Sequence, residues 1–295
     1  METLILKGKP VSLKIKEVLS EKISNLKSKD IIPSLSAIIV GNNPASKLYV
    51  NSKAKTFKKL DCYSEIFEFS SDINKDDLIN FIQDLNKDKK FHGILLQLPL
   101  PEHLDEKEIL KTIAPEKDVD GFHPINQGYI MQGNPKFIPC TPLGCLKILN
   151  YYNIDIEGKD IVVVGRSNIV GKPIASLLSQ NLSYGNATVT LCHTRTKNLS
   201  SYTKKADIII AAVGVPNLIN KDMIKEGVHI IDVGINRVED QSKEKGYRVV
   251  GDVDFDDVLG KAGSITPVPG GVGVMTVTML LNNTVKAAFN QTKEE

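Results

Sequence analysis

Tyr49 and Lys53 stand four residues apart in GNNPASKLYVNSKAK, residues 41–55. On an α-helix that spacing stacks them on one face, one turn apart. A phenol beside an ammonium makes a small acid/base site with an aromatic surface for a flat substrate. The same helix carries Lys47, Lys55, Lys58 and Lys59, so a solvated basic face is the alternative reading. Just upstream, Asn42, Asn43 and Pro44 predict a turn after the apolar run 35–40, with Ser46 as the expected helix cap.

Two further polar groups stand out. In GILLQLPLP, Pro99 and Pro101 end a strand expected over 93–98. That places Gln97 at a strand's carboxyl end, where open α/β sheets bind their ligands. The turn-rich APEKDVDGFHPINQG that follows holds Asp118, Asp120 and His123. No second histidine or cysteine stands at ligand spacing, so no metal is expected. A carboxylate that binds the amide-like edge of a substrate is the functional reading. A turn at Asp120-Gly121 is the alternative.

The elements that position these groups alternate. Strands expected at 35–40, 66–69 and 93–98, with helices at 46–60 and 75–86, predict βαβ units and a parallel sheet. PCTP, residues 139–142, leads into a helix near Leu143, and the domain change is placed near residue 150. Strands expected at 161–164, 188–191, 208–213 and 229–233 then form a second doubly wound unit.

IVVVGRSNIVGKPIASLL reads as strand, glycine turn and helix. Gly165 and Gly171 are separated by five residues, so this is not the G-x-G-x-x-G fingerprint, and Pro173 excludes a P-loop. A glycine beside a helix amino terminus still suits an anion, with a plain turn as the alternative. The next strand ends TVTLCHTRT, without the acidic residue that takes the ribose hydroxyl of NAD. Arg166, Thr194 and Arg195 instead offer guanidinium and hydroxyl groups to a ribose phosphate, which argues for NADP. His193 is given no role. Near the carboxyl end, Pro267, Pro269, Gly270, Gly271 and Gly273 precede an apolar helix. Such a loop lets backbone approach a ligand closely, or simply turns the chain.

Composition excludes other classes. Apolar residues at 41% and charged residues at 24% are ordinary for a globular protein. A net charge of +2 gives no electrostatic argument for nucleic acid or membrane as partner. No apolar run approaches the ~20 residues of a membrane span, and residues 1–9 lack a signal-peptide pattern, so a cytoplasmic location is expected. Cys140 and Cys145 are spaced C-x4-C while Cys62 and Cys192 are isolated, so the cysteines are expected to be reduced and buried.

Taken in order, YVNSKAK, GILLQLPLP, KDVDGFHP, PCTP, GRSNIVGKP, ADIIIAAVG, IDVGIN and TPVPGGVGVMT resemble the bifunctional methylenetetrahydrofolate dehydrogenase/cyclohydrolase family over nearly the whole chain. The resemblance implies an α/β protein of two domains, each with a mainly parallel sheet, the second Rossmann-like and NADP-binding, with folate in a cleft between them. The expected division is 1–148 plus 275–295 for the folate-binding catalytic domain and 149–274 for the NADP-binding domain. It also implies a homodimer serving one-carbon metabolism and purine biosynthesis. Lys53 matches the family's catalytic lysine, Tyr49 the tyrosine that stacks on folate, Gln97 the lysine's partner and Asp120 the pterin-anchoring aspartate. Pro269, Gly270, Gly271, Val272 and Gly273 match the loop over the substrate. Gly165, Arg166 and Ser167 match the cofactor-phosphate loop, and Ile235 the residue at the nicotinamide end.

The chain departs from the family pattern at Thr194 (commonly serine), at Val274 (usually proline) and at Asp61 (usually glycine). It also carries a short insertion at 181–185. The Y-x-x-x-K spacing also suggests short-chain dehydrogenases, but there the pair follows the glycine loop, whereas Tyr49 and Lys53 precede Gly165. A non-catalytic NADP-binding protein is a second rival, opposed by the presence of Lys53, Gln97 and Asp120. Length leaves no room for a ligase domain, so no synthetase activity is expected.

Overall fold

The computed structural model describes residues 2–244 and 246–292. Strand β1 (Leu4–Ile5) and helix α1 (Gly8–Lys27) are followed by β2 (Ser34–Val40), α2 (Pro44–Lys59), β3 (Tyr63–Phe69), α3 (Lys75–Lys87) and β4 (Gly93–Leu96). Helices α4 (Glu106–Leu110), α5 (Pro124–Met131) and α6 (Cys140–Tyr151) come next. The chain continues through β5 (Asp160–Val164), α7 (Gly171–Ser179), β6 (Thr188–Cys192), α8 (Leu199–Thr203), β7 (Ile208–Ala211) and β8 (His229–Asp232). It ends with β9 (Asn236–Glu239), β10 (Tyr247–Val250), α9 (Phe255–Val258), β11 (Ser264–Ile265) and α10 (Val272–Gln291).

Contacts gather these elements into two compact units. One holds the residues up to Leu13, Ile130–Asn134 and Thr141–Thr276; the other holds Lys14–Tyr129, Pro135–Cys140 and the chain from Val277 on. These lines differ from the expected 1–148 plus 275–295 against 149–274, most of all in the first thirteen residues. The reason is physical: β1 is a strand of the later sheet, paired in parallel with β11.

In the unit containing Lys53, β2 lies between β3 and β4, all parallel. β2 reads SLSAIIV and is buried along its whole length, as expected for a central strand covered on both faces. The Asn74 side chain caps α3 by accepting the Asp76 N–H at 2.8 Å. Leu78, Ile82 and Leu85 then recur at helical spacing and bury one stripe. With Ile38, Ile94, Leu96 and Phe91 they form the core of this unit.

In the other unit a six-stranded parallel sheet runs β1-β11-β8-β7-β5-β6. β5 pairs with β6 on one side and β7 on the other. The chain therefore leaves β5 through α7 to one side and later returns to its opposite side. That reversal is a topological switch point, where doubly wound sheets hold ligands beyond the strands' carboxyl ends. Val162, Val164, Ile209, Ile230 and Ile265 pack the core beneath it.

Several local expectations shift. α2 begins at Pro44, and the Ser46 N–H donates to the Asn43 side chain at 3.2 Å, so Asn43 is the cap rather than Ser46. Proline at a helix start has no N–H to leave unpaired, which lets the helix begin earlier than read. α6 likewise begins at Cys140 rather than near Leu143, with Pro142 in its first turn. β3 starts at Tyr63, earlier than the expected 66, and β4 stops at Leu96. The antiparallel hairpin of β9 and β10 lies outside the expected elements, as do β1 and β11.

Candidate active site

α2 carries Tyr49 and Lys53 on one face, as their spacing requires. The Lys53 ammonium lies 4.4 Å from the centre of the Tyr49 ring. It donates to Gln97 Oε1 at 3.2 Å. Lys53 is only 5% exposed, which decides against the solvated-face reading. Gln97 sits just past β4, where its own N–H donates to the Ile38 carbonyl at 2.9 Å. Its side-chain amide donates to the Leu98 carbonyl at 2.7 Å, which fixes Oε1 toward the lysine. A neutral amide orients the amine without adding a charge that would hold its proton.

Asp120 reaches the same place by a different route. Ile94 of β4 donates to the Lys117 carbonyl at 2.8 Å, so the chain from Lys117 runs along the strand edge. Asp118, which sequence could not separate from Asp120, is the structural carboxylate of this turn. It is buried and accepts from the N–H groups of Phe122 (3.1 Å) and His123 (2.8 Å) and from the Asn126 amide (2.8 Å). Asp120 is left to face Lys53. Gly121 has φ +72°, and a Cβ there would lie 2.8 Å from the Pro139 nitrogen, so the turn packs directly on the segment that carries Cys140.

Burial lowers the Lys53 pKa from its ordinary value, and the nearby Asp120 carboxylate opposes that only in part. Burial raises the Asp120 carboxyl, with the Lys53 charge and a hydrogen bond from the Cys140 thiol working against it. Cys140 was missed as a neighbour of this site. Its thiol is buried, lies 3.6 Å from the Val119 carbonyl, and is pushed well above the usual thiol range chiefly by burial. PCTP was visible in the sequence, but nothing there told of a contact across twenty residues. All four cysteines are buried free thiols.

The remaining predicted residues lie in the six-stranded unit. Gly165 directly follows β5 at the switch point, with φ +123° and no room for a Cβ beside the Ala212 carbonyl. Register pairs Val164 with Cys192, so the loops after β5 and β6 emerge side by side. Arg166 and Ser167 on one loop, and Thr194 and Arg195 on the other, are all exposed. The Ser167 Oγ accepts from the N–H groups of Val170 (3.1 Å) and Gly171 (3.3 Å), shaping the entry to α7 and leaving its proton to donate. His193 receives a structural role: its Nδ1 accepts the Arg195 N–H at 3.1 Å within the turn. A glycine turn at the switch point, a helix start and exposed guanidiniums together fit a phosphorylated dinucleotide.

Ile235 is 67% exposed, at the rim of a cavity of about 200 Å³. Pro269, Gly270, Gly271, Val272 and Gly273 line the same cavity. The structure thus brings the expected nicotinamide-end residue and the expected substrate loop to one place. The loop is held from below, where the Gly8 N–H donates to the Gly270 carbonyl at 2.9 Å. Among the described residues no group of three His, Cys, Asp or Glu is arranged to hold a metal, and no helix is long and apolar enough to cross a membrane.

Fold and sites define an α/β protein with a buried lysine paired to a glutamine in one unit and a dinucleotide-type switch point in the other. Residues 6–120 match the tetrahydrofolate dehydrogenase/cyclohydrolase catalytic domain, and residues 139–292 match the NAD(P)-binding domain of the same family. The chain belongs to the tetrahydrofolate dehydrogenase/cyclohydrolase family. It is 51% identical to the bifunctional protein FolD of Nautilia profundicola, over 98% of this chain and 99% of that one. A FolD methylenetetrahydrofolate dehydrogenase/cyclohydrolase structure from Campylobacter jejuni superposes with a TM-score of 0.92 at 52% identity, covering 98% and 99% of the two chains. The Trypanosoma brucei enzyme, solved with NADP cofactor and inhibitor, gives 0.93 at 37% identity over 99% of each.

Proposed function

We propose that this protein oxidises 5,10-methylenetetrahydrofolate to 5,10-methenyltetrahydrofolate with NADP and then hydrolyses that product to 10-formyltetrahydrofolate. The observation that carries this is the buried Lys53 between Gln97 and Tyr49 in a chain matching both domains of the family. NADP, when bound, supplies the hydride acceptor. The substrate's own nitrogen lone pairs stabilise the methenyl cation, so the first step asks the protein mainly for proximity and orientation. Tyr49 offers its ring to the flat folate, and Asp120 anchors the pterin edge. In the second step Lys53, in its neutral form, takes a proton from the attacking water and returns one as the ring opens. Gln97 keeps the amine aimed. By the family resemblance, Gly165, Arg166, Ser167 and Thr194 would hold the cofactor's phosphates, Ile235 would meet its nicotinamide end, and Pro269 to Gly273 would belong to the substrate loop.

The family resemblance supports a homodimer in one-carbon metabolism, and the four unpaired thiols suit the reducing cytoplasm. The deciding assay mixes the protein with methylenetetrahydrofolate and either NADP or NAD. Appearance of reduced cofactor with NADP supports the reading, and its absence with both overturns it.

Arg166→Ala should shift preference from NADP toward NAD by about 10- to 100-fold, the worth of a charge-assisted hydrogen bond. An unaltered ratio would show the phosphate is read elsewhere. Asp120→Asn should raise the folate KM by about tenfold or more. It also removes the charge that favours protonated Lys53. Cyclohydrolase rate rises with pH as the lysine loses its proton, so in this variant that rise should move to lower pH. A pH profile that stays in place would count against the coupling.

A further inference from the structure

The carboxylates of Asp232 and Asp252, 2% and 0% exposed, lie beneath the carboxyl ends of β7 and β8 and belong to none of the roles above. Asp252 Oδ2 accepts from the N–H groups of Val213 at 2.7 Å and Gly214 at 3.0 Å. Its Oδ1 accepts from the Asn236 side-chain amide at 2.9 Å. Behind it, Asp232 accepts from the N–H groups of Gly234 (2.9 Å), Asp252 (3.0 Å) and Val253 (3.0 Å). Gly234 and Gly251 leave the room: a Cβ on either would run into one of these two carboxylates.

Burying a carboxylate is costly, and these two offset that cost by accepting from five backbone N–H groups, which an apolar side chain would leave unpaired. What Asp252 reaches gives it a purpose. Val213 follows Ala212, whose carbonyl lies against Gly165, so one oxygen holds the turn on which the glycine loop rests. The other oxygen holds Asn236, the neighbour of Ile235. One side chain thereby couples the two backbone segments that flank the switch point and the cavity rim.

We propose that Asp252 is a positioning residue for the cofactor, fixing the 212–214 turn and the Ile235 segment relative to each other, with Asp232 holding Asp252 in turn. This rests on reading this unit as the NADP site. In Asp252→Asn the new amide can turn its oxygen to the Val213 and Gly214 N–H groups, but its NH₂ then meets the Asn236 NH₂. The Asn236 amide also donates to the Gly251 carbonyl at 3.2 Å, so exchanging the partner as well, in Asp252→Asn with Asn236→Asp, restores a donor facing an acceptor at residue 252 while giving up that second bond.

The test measures NADP Kd by calorimetric titration and, separately, hydrolysis of supplied methenyltetrahydrofolate without cofactor. Expected are a rise in Kd of about tenfold or more in Asp252→Asn, hydrolysis retained, and recovery of part of the affinity in the double variant. An unchanged Kd overturns the proposal. So does a parallel loss of binding and hydrolysis that the double variant does not rescue, because that marks a merely structural carboxylate. If Asp252→Asn does not fold, Asn236→Ala, which removes one of the three bonds to Asp252 together with the Asn236 bond to Gly251, takes its place, and an unchanged Kd there also overturns the proposal. Wild-type protein that fails to bind NADP would instead overturn the functional reading on which this rests.

Discussion

Lys53→Met is expected to abolish conversion of methenyltetrahydrofolate to the formyl product while NADP binds as in the wild type. Methionine fills the same buried slot with a similar chain and no amine, so Val50 and Phe57 on the buried side of α2 keep their packing. What is lost is the proton carrier. General base catalysis is worth about 10²- to 10⁴-fold, and hydrolysis should fall by that amount. The wild-type rate should rise with pH and level off below the ordinary lysine range, because burial lowers the Lys53 pKa. That rise should be missing from the variant. Decay of methenyl absorbance across pH measures both effects, and normal turnover in the variant would end the assignment.

Gly165→Ala should produce the opposite failure. At φ +123° an L-residue is strained, and its methyl group would overlap the Ala212 carbonyl. Strain of this kind costs about 1–3 kcal/mol before the overlap is relieved. Relief must move either the β5 turn or the 212–214 turn, both of which flank the switch point. NADP-dependent oxidation should fall by more than about 100-fold, and hydrolysis of supplied methenyltetrahydrofolate should persist. The pair of variants divides the two activities between the two units. Equal loss of both activities in Gly165→Ala would contradict that division.

How much of this was legible in the sequence depended on distance along the chain. The stacking of Tyr49 and Lys53 needed only an i, i+4 spacing, and Gln97 needed only the prolines that end its strand. The burial of Lys53 was hidden, because five lysines on one helix look like a wet surface until the partners of its other face are known. Asp120 could be singled out from Asp118 only through resemblance, since both read as turn carboxylates. The structure separates them by their donors: Asp118 is bound by two N–H groups of its own turn and by the Asn126 side-chain amide. The Cys140 contact and the paired Asp232 and Asp252 depend on segments far apart in sequence, and no local pattern reports them. Two-residue strands such as β1 and β11 are too short to show any periodicity.

That first strand has a consequence for synthesis. Leu4 leaves the ribosome long before the backbone it joins, at Gly263 and Ser264. The large sheet therefore cannot close until Ile265 has been made, and its leading edge must wait without a mate. A strand of two residues followed by Lys7 and Lys9 suits that wait, since brevity and positive charge both discourage pairing with the wrong nascent chain.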